Sequence, residues 1–134
     1  MITQLTLRQD HVQAIMDHVA FHAPLEACGL LAGKQDRVEE VLFVENQARS
    51  PVRFVMDPYE QLRAFDRIES RGLELLGIFH SHPRGPETVS TTDITEAAYP
   101  VVHVICSLSD REWKLRGFWI ANGMSNEVTL RVIE

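Results

Sequence analysis

Two histidines that end an apolar run are followed within eleven residues by a serine and an aspartate. Residues 77–93 read GIFHSHPRGPETVSTTD, and His80, His82, Ser90 and Asp93 are the residues able to do chemistry. In a β-strand, residues i and i+2 point to the same face, so the two imidazoles can aim at one point. Pro83 ends the strand because it has no N–H to donate. The loop that follows is long enough to bring Asp93 back to the histidines.

Two imidazoles and one carboxylate make a set of three metal ligands. Structural zinc sites fill all four tetrahedral positions with protein, whereas catalytic sites keep one position for water. Zinc lowers the pKa of that water to about 7, which supplies hydroxide at neutral pH. No cysteine pair lies near the histidines in the sequence. The pattern therefore favours a hydrolytic zinc site.

The same residues also have structural interpretations. A histidine pair at a strand end can be a surface or hydrogen-bonded pair. Ser90-Thr91-Thr92-Asp93 before Ile94 is typical of a capping box at a helix start. A capping box and a metal site are compatible, because a helix start is a rigid place to hold a ligand.

Three helices are predicted around this segment. An apolar stripe with the spacing i, i+3, i+4 and i+7 predicts a first helix that Pro24 helps to end. The stripe consists of Val12, Ile15, Met16 and Val19. A short third helix is predicted over residues 92–98.

The second helix has a start signal of its own. Asp57 can cap it, Pro58 can take its first position, and Glu60 can close a capping box. It is expected to run to about Arg71 and to end at Gly72 in the left-handed conformation.

Seven segments are apolar or alternating enough to predict strands. They are CGLLAG, RVEEVLFVEN, PVRFVMD, LELLGIFHSH, VVHVICSL, EWKLRGFWIA and VTLRVI. Strands and helices mix without strict alternation, which predicts an α/β (α+β) fold with a mixed β-sheet flanked by helices. LELLGIFHSH is expected to be its central strand, with His80 and His82 at its end.

Composition narrows the class of protein. A chain of 134 residues is most simply one domain, residues 1–134. The formal charge of −6 argues against a nucleic-acid partner, and the apolar runs are too short to cross a membrane. Cys28 and Cys106 lie in apolar runs and are expected to be reduced core thiols. The start of the chain lacks a signal-peptide pattern, so a cytoplasmic protein is expected.

The pattern H-x-H-x7-S-x2-D, with HSHP after an apolar strand, resembles the JAMM/MPN+ family of zinc isopeptidases. PLEACGLLAG looks like the opening strand of that family, preceded by its glutamate. The segment from SPVRFVMDPYEQ to GIFHSHP is similar to the centre of the small bacterial members. The resemblance implies a JAMM/MPN fold, related to the cytidine-deaminase-like fold. One departure is Val89, where many bacterial members have proline before the motif serine.

By this resemblance His80, His82 and Asp93 would bind Zn²⁺, one per chain. Ser90 would donate a hydrogen bond to the oxyanion or to the water, and Glu26 would be the general base. From the residues alone, Glu26 is a loop carboxylate between Pro24 and a strand. Its position at the mouth of a buried strand would allow it to be held over a metal on a neighbouring strand.

The resemblance also implies the substrate class. Small bacterial members act on sulfur-carrier proteins of ubiquitin-like fold, so we expect hydrolysis of the amide bond after the C-terminal glycine of such a carrier, for example with release of a cysteine. The alternatives are a general isopeptidase that removes ubiquitin-like modifiers from lysine, and a non-catalytic MPN scaffold. A zinc nucleobase deaminase would need H-x-E and P-C-x-x-C, which the sequence lacks. The oligomeric state stays open between a monomer and a homodimer.

Four further histidines are interpreted as structural. His11, His18 and His22 lie along one flank of the first helix and are expected at the surface. His103, inside VVHVICSL, is expected to be a hydrogen-bonded core residue.

Overall fold

A computed structural model describes residues 1–134 and shows seven strands and three helices. The strands are β1 (Gln4–Arg8), β2 (Cys28–Lys34), β3 (Arg37–Val44), β4 (Glu74–His82), β5 (Val101–Ser109), β6 (Glu112–Ala121) and β7 (Met124–Ile133). The helices are α1 (Gln9–His22), α2 (Pro58–Ser70) and α3 (Thr91–Glu96). No helix is both long and apolar enough to span a membrane.

The strands form one mixed sheet in the order β1-β3-β2-β4-β5-β6-β7. β4 pairs antiparallel with β2 and parallel with β5, so it is central, as the sequence predicts. β1 closes the sheet into a barrel by pairing in parallel with β7 and, through Thr6 and Arg37, with β3. The predicted mixed sheet flanked by helices is confirmed, whereas its closure was not anticipated.

Each face of the sheet carries its own hydrophobic core. One core joins α1, through Ile15 and Val19, to Phe79 and its neighbours on the sheet. The other joins α2, through Ala64 and Ile68, to Ile78 and Val101. Because side chains alternate along a strand, His80 and His82 lie on the α2 face with Ile78.

The sequence prediction misses one strand and wrongly predicts another. The sequence LTLR near the N-terminus was not predicted as a strand, yet it forms β1, whose partners lie at the other end of the chain. PVRFVMD is not a strand but part of a loop that makes one isolated bridge, from Met56 to Asn46. Residues 46–56 thus leave the sheet and lie beside the end of β4.

The second helix begins as predicted but is held differently. The Asp57 carboxylate accepts hydrogen bonds from Tyr59 N and Glu60 N. Glu60 does not close a capping box, because its Oε1 accepts a hydrogen bond from Glu45 N instead. Gly72 follows the helix with φ +69°, the expected left-handed stop.

Candidate metal centre

The two histidines of the motif lie at the end of β4, after its apolar centre. Their Nε2 atoms face each other at 3.0 Å. Both side chains are buried, with exposed fractions of 0% for His80 and 5% for His82. The strand period of two therefore brings the imidazoles together, as the sequence predicts.

Asp93 reaches the histidines from the first turn of α3. Its Oδ1 lies 3.2 Å from His80 Nε2, and its Oδ2 lies 3.2 Å from His82 Nε2. The predicted capping box is present, because Ser90 Oγ accepts from Asp93 N at 3.0 Å and Asp93 Oδ2 accepts from Ser90 N at 2.8 Å. Asp93 therefore both closes the capping box of α3 and presents its carboxylate to the histidines.

The hydrogen bonds of His82 determine which of its nitrogens is free. Its Nδ1 lies 2.8 Å from the Pro86 carbonyl oxygen, which can only accept. Nδ1 therefore carries the proton, and Nε2 presents a lone pair to the cluster. The imidazole of His80 is held by stacking on Phe54, with ring centroids 4.4 Å apart.

The spacing of these atoms fits a tetrahedral metal ion. Zinc bound by imidazole and carboxylate at 2.0–2.1 Å would separate its ligand atoms by about 3.3 Å. The observed separations of 3.0 and 3.2 Å are close to that value. His80, His82 and Asp93 thus form a group that could hold a metal ion.

Charge in the cluster favours an ionised Asp93. Burial alone would raise the pKa of this carboxyl, but the adjacent imidazoles of His80 and His82 outweigh it and hold the pKa well below its usual value. Burial lowers the pKa of His80, which keeps a neutral imidazole. The site is therefore preset for an ionised Asp93 and a neutral His80. Burial lowers the pKa of His82, but Asp93 and the Pro86 carbonyl outweigh it and raise this pKa, so a metal ion would displace a proton from His82.

Glu26 is brought to the cluster by its backbone neighbours. β2 pairs antiparallel with β4, and Cys28 lies opposite His80. One residue earlier, Ala27 N donates to Ser81 Oγ at 2.8 Å, and Ser81 N donates to Ala27 O at 2.9 Å. Ser81, the residue between the two histidines, thus ties the segment that leads from Glu26 into β2 to the end of β4, which carries two of the candidate metal ligands.

The side chain of Asn46 completes this support. Its Nδ2 donates to the carbonyls of Glu26 and Arg53, each at 3.0 Å. Its Oδ1 accepts from Ala48 N at 3.0 Å and from Val55 N at 2.9 Å. All four hydrogen-bonding positions of this amide are therefore used to hold the 46–56 loop against Glu26.

Burial changes the acidity of Glu26. Its exposed fraction is 5%, and burial raises its pKa to about 7, with the charge of His82 opposing the rise and that of Asp93 adding to it. The sequence alone suggested only a loop carboxylate. The structure instead gives a buried carboxyl that can take and return a proton near neutral pH.

A cavity of about 500 Å³ opens on the Glu26 side of the site. His18 and His22, expected at the surface, line it together with Phe43. His18 stacks on Phe43 with ring centroids 4.2 Å apart, and burial lowers its pKa to about 4. His11 is not a surface residue as expected: it is buried, and its Nδ1 accepts from Arg8 N at the start of α1.

A second group of acidic residues, Glu45, Asp57 and Glu60, also has carboxylates close together. Two of the three already have structural roles, since Asp57 caps α2 and Glu60 binds the backbone of Glu45. The sequence did not suggest this group, and its ligands are more exposed than those of the histidine cluster.

Sequence reasoning missed Ser81, Asn46 and Phe54. Each acts through a contact distant in the chain, so no local spacing signals it. The two cysteines are buried and free, as predicted.

The comparisons with known proteins agree with the motif. A family described as prokaryotic homologues of the JAB domain matches residues 8–119. A probable TtuB-protein conjugate cleaving protease from Thermus thermophilus is 38% identical, over 87% of this chain and 74% of its own length. The CysO-cysteine peptidase of Mycobacterium tuberculosis is 34% identical, over 97% and 92%. A solution structure of a Desulfitobacterium hafniense protein has a TM-score of 0.88 at 34% identity, over 97% and 93%.

Replacing Asn46 tests the support of Glu26. Asn46→Ala leaves buried backbone groups unpaired, which should lower the free energy of unfolding by about 2–4 kcal/mol. Asn46→Asp keeps the two accepted hydrogen bonds but places a buried carboxylate oxygen against the carbonyls of Glu26 and Arg53, so it should destabilise at least as much. Urea denaturation measures both, with exposed Asn126→Ala as the control expected to change little. Equal stability of Asn46→Ala and wild type would contradict this role.

Glu26→Gln tests the raised pKa of this carboxyl. A pKa of about 7, against 4.5 for an ordinary Glu, means that the folded state binds the proton more tightly. Wild-type stability should therefore be lost as pH rises from about 4.5 to about 7, whereas the Gln variant should lack this loss. Without metal, the free energy of unfolding of the variant should gain about 3 kcal/mol on that of the wild type across that window. Urea denaturation with a chelator at several pH values measures it, and a gain that does not depend on pH would contradict the shift.

Proposed function

Because the chain belongs to the family of prokaryotic homologues of the JAB domain, we propose that it is a zinc-dependent peptidase. Its substrate is the amide bond after the C-terminal glycine of a ubiquitin-like or sulfur-carrier protein. The observation that carries the proposal is the convergence of His80, His82 and Asp93 beside a buried Glu26 with a pKa of about 7.

His80, His82 and Asp93 would hold the zinc ion. Bound there, zinc would polarise the scissile carbonyl and lower the pKa of a water molecule to about 7. Three protein ligands are the number typical of catalytic zinc sites. The Pro86 carbonyl orients His82 for this task through the Nδ1 proton.

Glu26 is the general base. Its carboxylate takes a proton from the attacking water and returns it to the leaving amine. A pKa near the working pH suits both halves of that transfer. The Asn46 side chain donates to the Glu26 carbonyl, and Ser81 Oγ accepts from the next residue, Ala27, so this segment is held in position.

Ser90 stabilises the negative charge that develops on the carbonyl oxygen. Its Oγ uses a lone pair to accept from Asp93 N, so the hydroxyl proton remains available to donate to that oxygen. Ser90 is partly exposed, which allows substrate to reach it.

The relatives support two forms of the same reaction. The name of the CysO-cysteine peptidase supports release of a C-terminal cysteine from a sulfur carrier. The name of the TtuB-protein conjugate cleaving protease supports the alternative, cleavage of a carrier from another protein. We favour the first, because that similarity covers 97% of this chain and 92% of the relative. A non-catalytic scaffold would have no need for all five site residues.

We further propose that residues 1–134 act as one domain and that the reaction takes place in the cytoplasm. The closed sheet draws on both ends of the chain, and both cysteines are free thiols, which persist in a reducing compartment.

The direct test is the intact mass of a ubiquitin-like sulfur carrier that bears one extra C-terminal cysteine. With the zinc-loaded protein, the carrier should lose the mass of one cysteine residue. Glu26→Gln should slow this loss at least about a hundredfold, because the general base is removed. The zinc content of the variant should stay at one ion per chain, since Glu26 is not a ligand. A carrier left intact by the zinc-loaded wild type, with a lysine-linked conjugate cut instead, would establish the alternative substrate.

A further inference from the structure

A second cavity, of about 330 Å³, adjoins the metal cluster on the side of Asp93, which lines it. One wall comes from the 46–56 loop, through Phe54 and Met56, and the other from Ala98 and Tyr99 after α3. Most of the lining is apolar. Because Asp93 belongs to both, the cavity lies next to the place where a substrate would be bound at the metal centre.

His103 is the polar group of this cavity. It lies on β5 opposite Ile78 of β4, and both residues line the cavity. Its exposed fraction is 3%, and neither ring nitrogen makes a hydrogen bond of normal geometry within the chain, although the Tyr99 backbone lies near enough to raise its pKa slightly. His103 is therefore a core residue, as predicted, but the prediction that it is hydrogen-bonded is wrong. The other buried histidine outside the metal cluster, His11, does have a partner, Arg8 N.

An unpaired imidazole in such a place calls for a partner from outside the chain, because buried polar groups are otherwise hydrogen-bonded. Burial lowers the pKa of His103 to about 4, so the ring is neutral near pH 7. A neutral imidazole offers one N–H donor and one lone pair. It suits an uncharged group that can both donate and accept, such as a thiol or a hydroxyl.

The position of the cavity limits which part of the substrate can fill it, and this step rests on the proposed function. The residue before the scissile bond is glycine, which has no side chain. The side chain next to that bond therefore belongs to the residue that is released. In a lysine-linked conjugate, the corresponding chain consists of methylene groups, which would leave His103 unpaired.

We propose that this cavity binds the side chain of the released residue, and that His103 selects a short side chain with a thiol or hydroxyl group. Cysteine and serine fit this description, whereas alanine fills the same position without a hydrogen bond. His103 is thus a specificity-determining residue and takes no part in the proton transfers.

The test compares carriers that differ only in one C-terminal residue: cysteine, serine, alanine or glycine. For the wild type, kcat/KM with cysteine or serine should exceed that with alanine by about fivefold to tenfold, the effect of one hydrogen bond. In His103→Phe this ratio should fall to about one, and His103→Asn should restore part of it. His11→Phe removes a buried histidine far from the cavity and should keep the wild-type ratio.

A second variant covers a failure of His103→Phe to fold. Ala98 is exposed at the cavity, so Ala98→Leu can narrow the cavity without disturbing a core. It should slow the release of cysteine more than that of glycine, which places no side chain there. A wild-type ratio of one, or a ratio that folded His103→Phe and Ala98→Leu leave unchanged, would overturn the inference alone. No cleavage of any carrier would instead contradict the proposed function.

Discussion

Two imidazole nitrogens held 3.0 Å apart in a buried place are the constraint on which this structure depends. The Nε2 atom of His82 presents a lone pair, because its Nδ1 proton is given to the Pro86 carbonyl. The His80 Nε2 atom faces this lone pair, and the Asp93 carboxylate adds negative charge at the same point. A cation would be bound by all three groups at once. Three consecutive parts of the chain hold these groups: the end of β4, the 83–90 loop and the start of α3.

The same constraint explains the neighbouring backbone. A metal centre hydrolyses an amide faster when a base stands beside it, which is the role proposed for Glu26, and a base on a free loop would seldom be in position. Here Ser81 lies between the two histidines and binds both backbone groups of Ala27. Asn46 then holds the carbonyl of Glu26. The histidines and the base are thus positioned by one set of hydrogen bonds, and the burial that excludes water also raises the pKa of Glu26.

Much of this architecture is local enough to be predicted from the sequence. The i, i+2 histidines on a strand, the capping box of Ser90 and Asp93, and the apolar stripe of α1 follow from periodicity and short-range hydrogen bonds. β1 could not be found in this way, because a short strand is stabilised by partners at the other end of the chain. PVRFVMD has the composition of a strand, yet the Arg53 carbonyl and the Val55 N–H form hydrogen bonds with the side chain of Asn46. The roles of Ser81, Asn46 and His103 depend on tertiary contacts that spacing does not reveal.

We propose that His80, His82 and Asp93 hold a zinc ion with an open position, and X-ray absorption at the zinc edge would identify its ligands. With one equivalent of zinc, we expect a four-coordinate shell of two imidazole nitrogens and two oxygens at about 2.0 Å. His82→Ala should halve the imidazole signature of the zinc that still binds, or abolish zinc binding at this site. A sulfur neighbour at about 2.3 Å, which would implicate Cys28, would contradict this set of ligands. So would an all-oxygen shell, which would place the ion at Glu45, Asp57 and Glu60 instead.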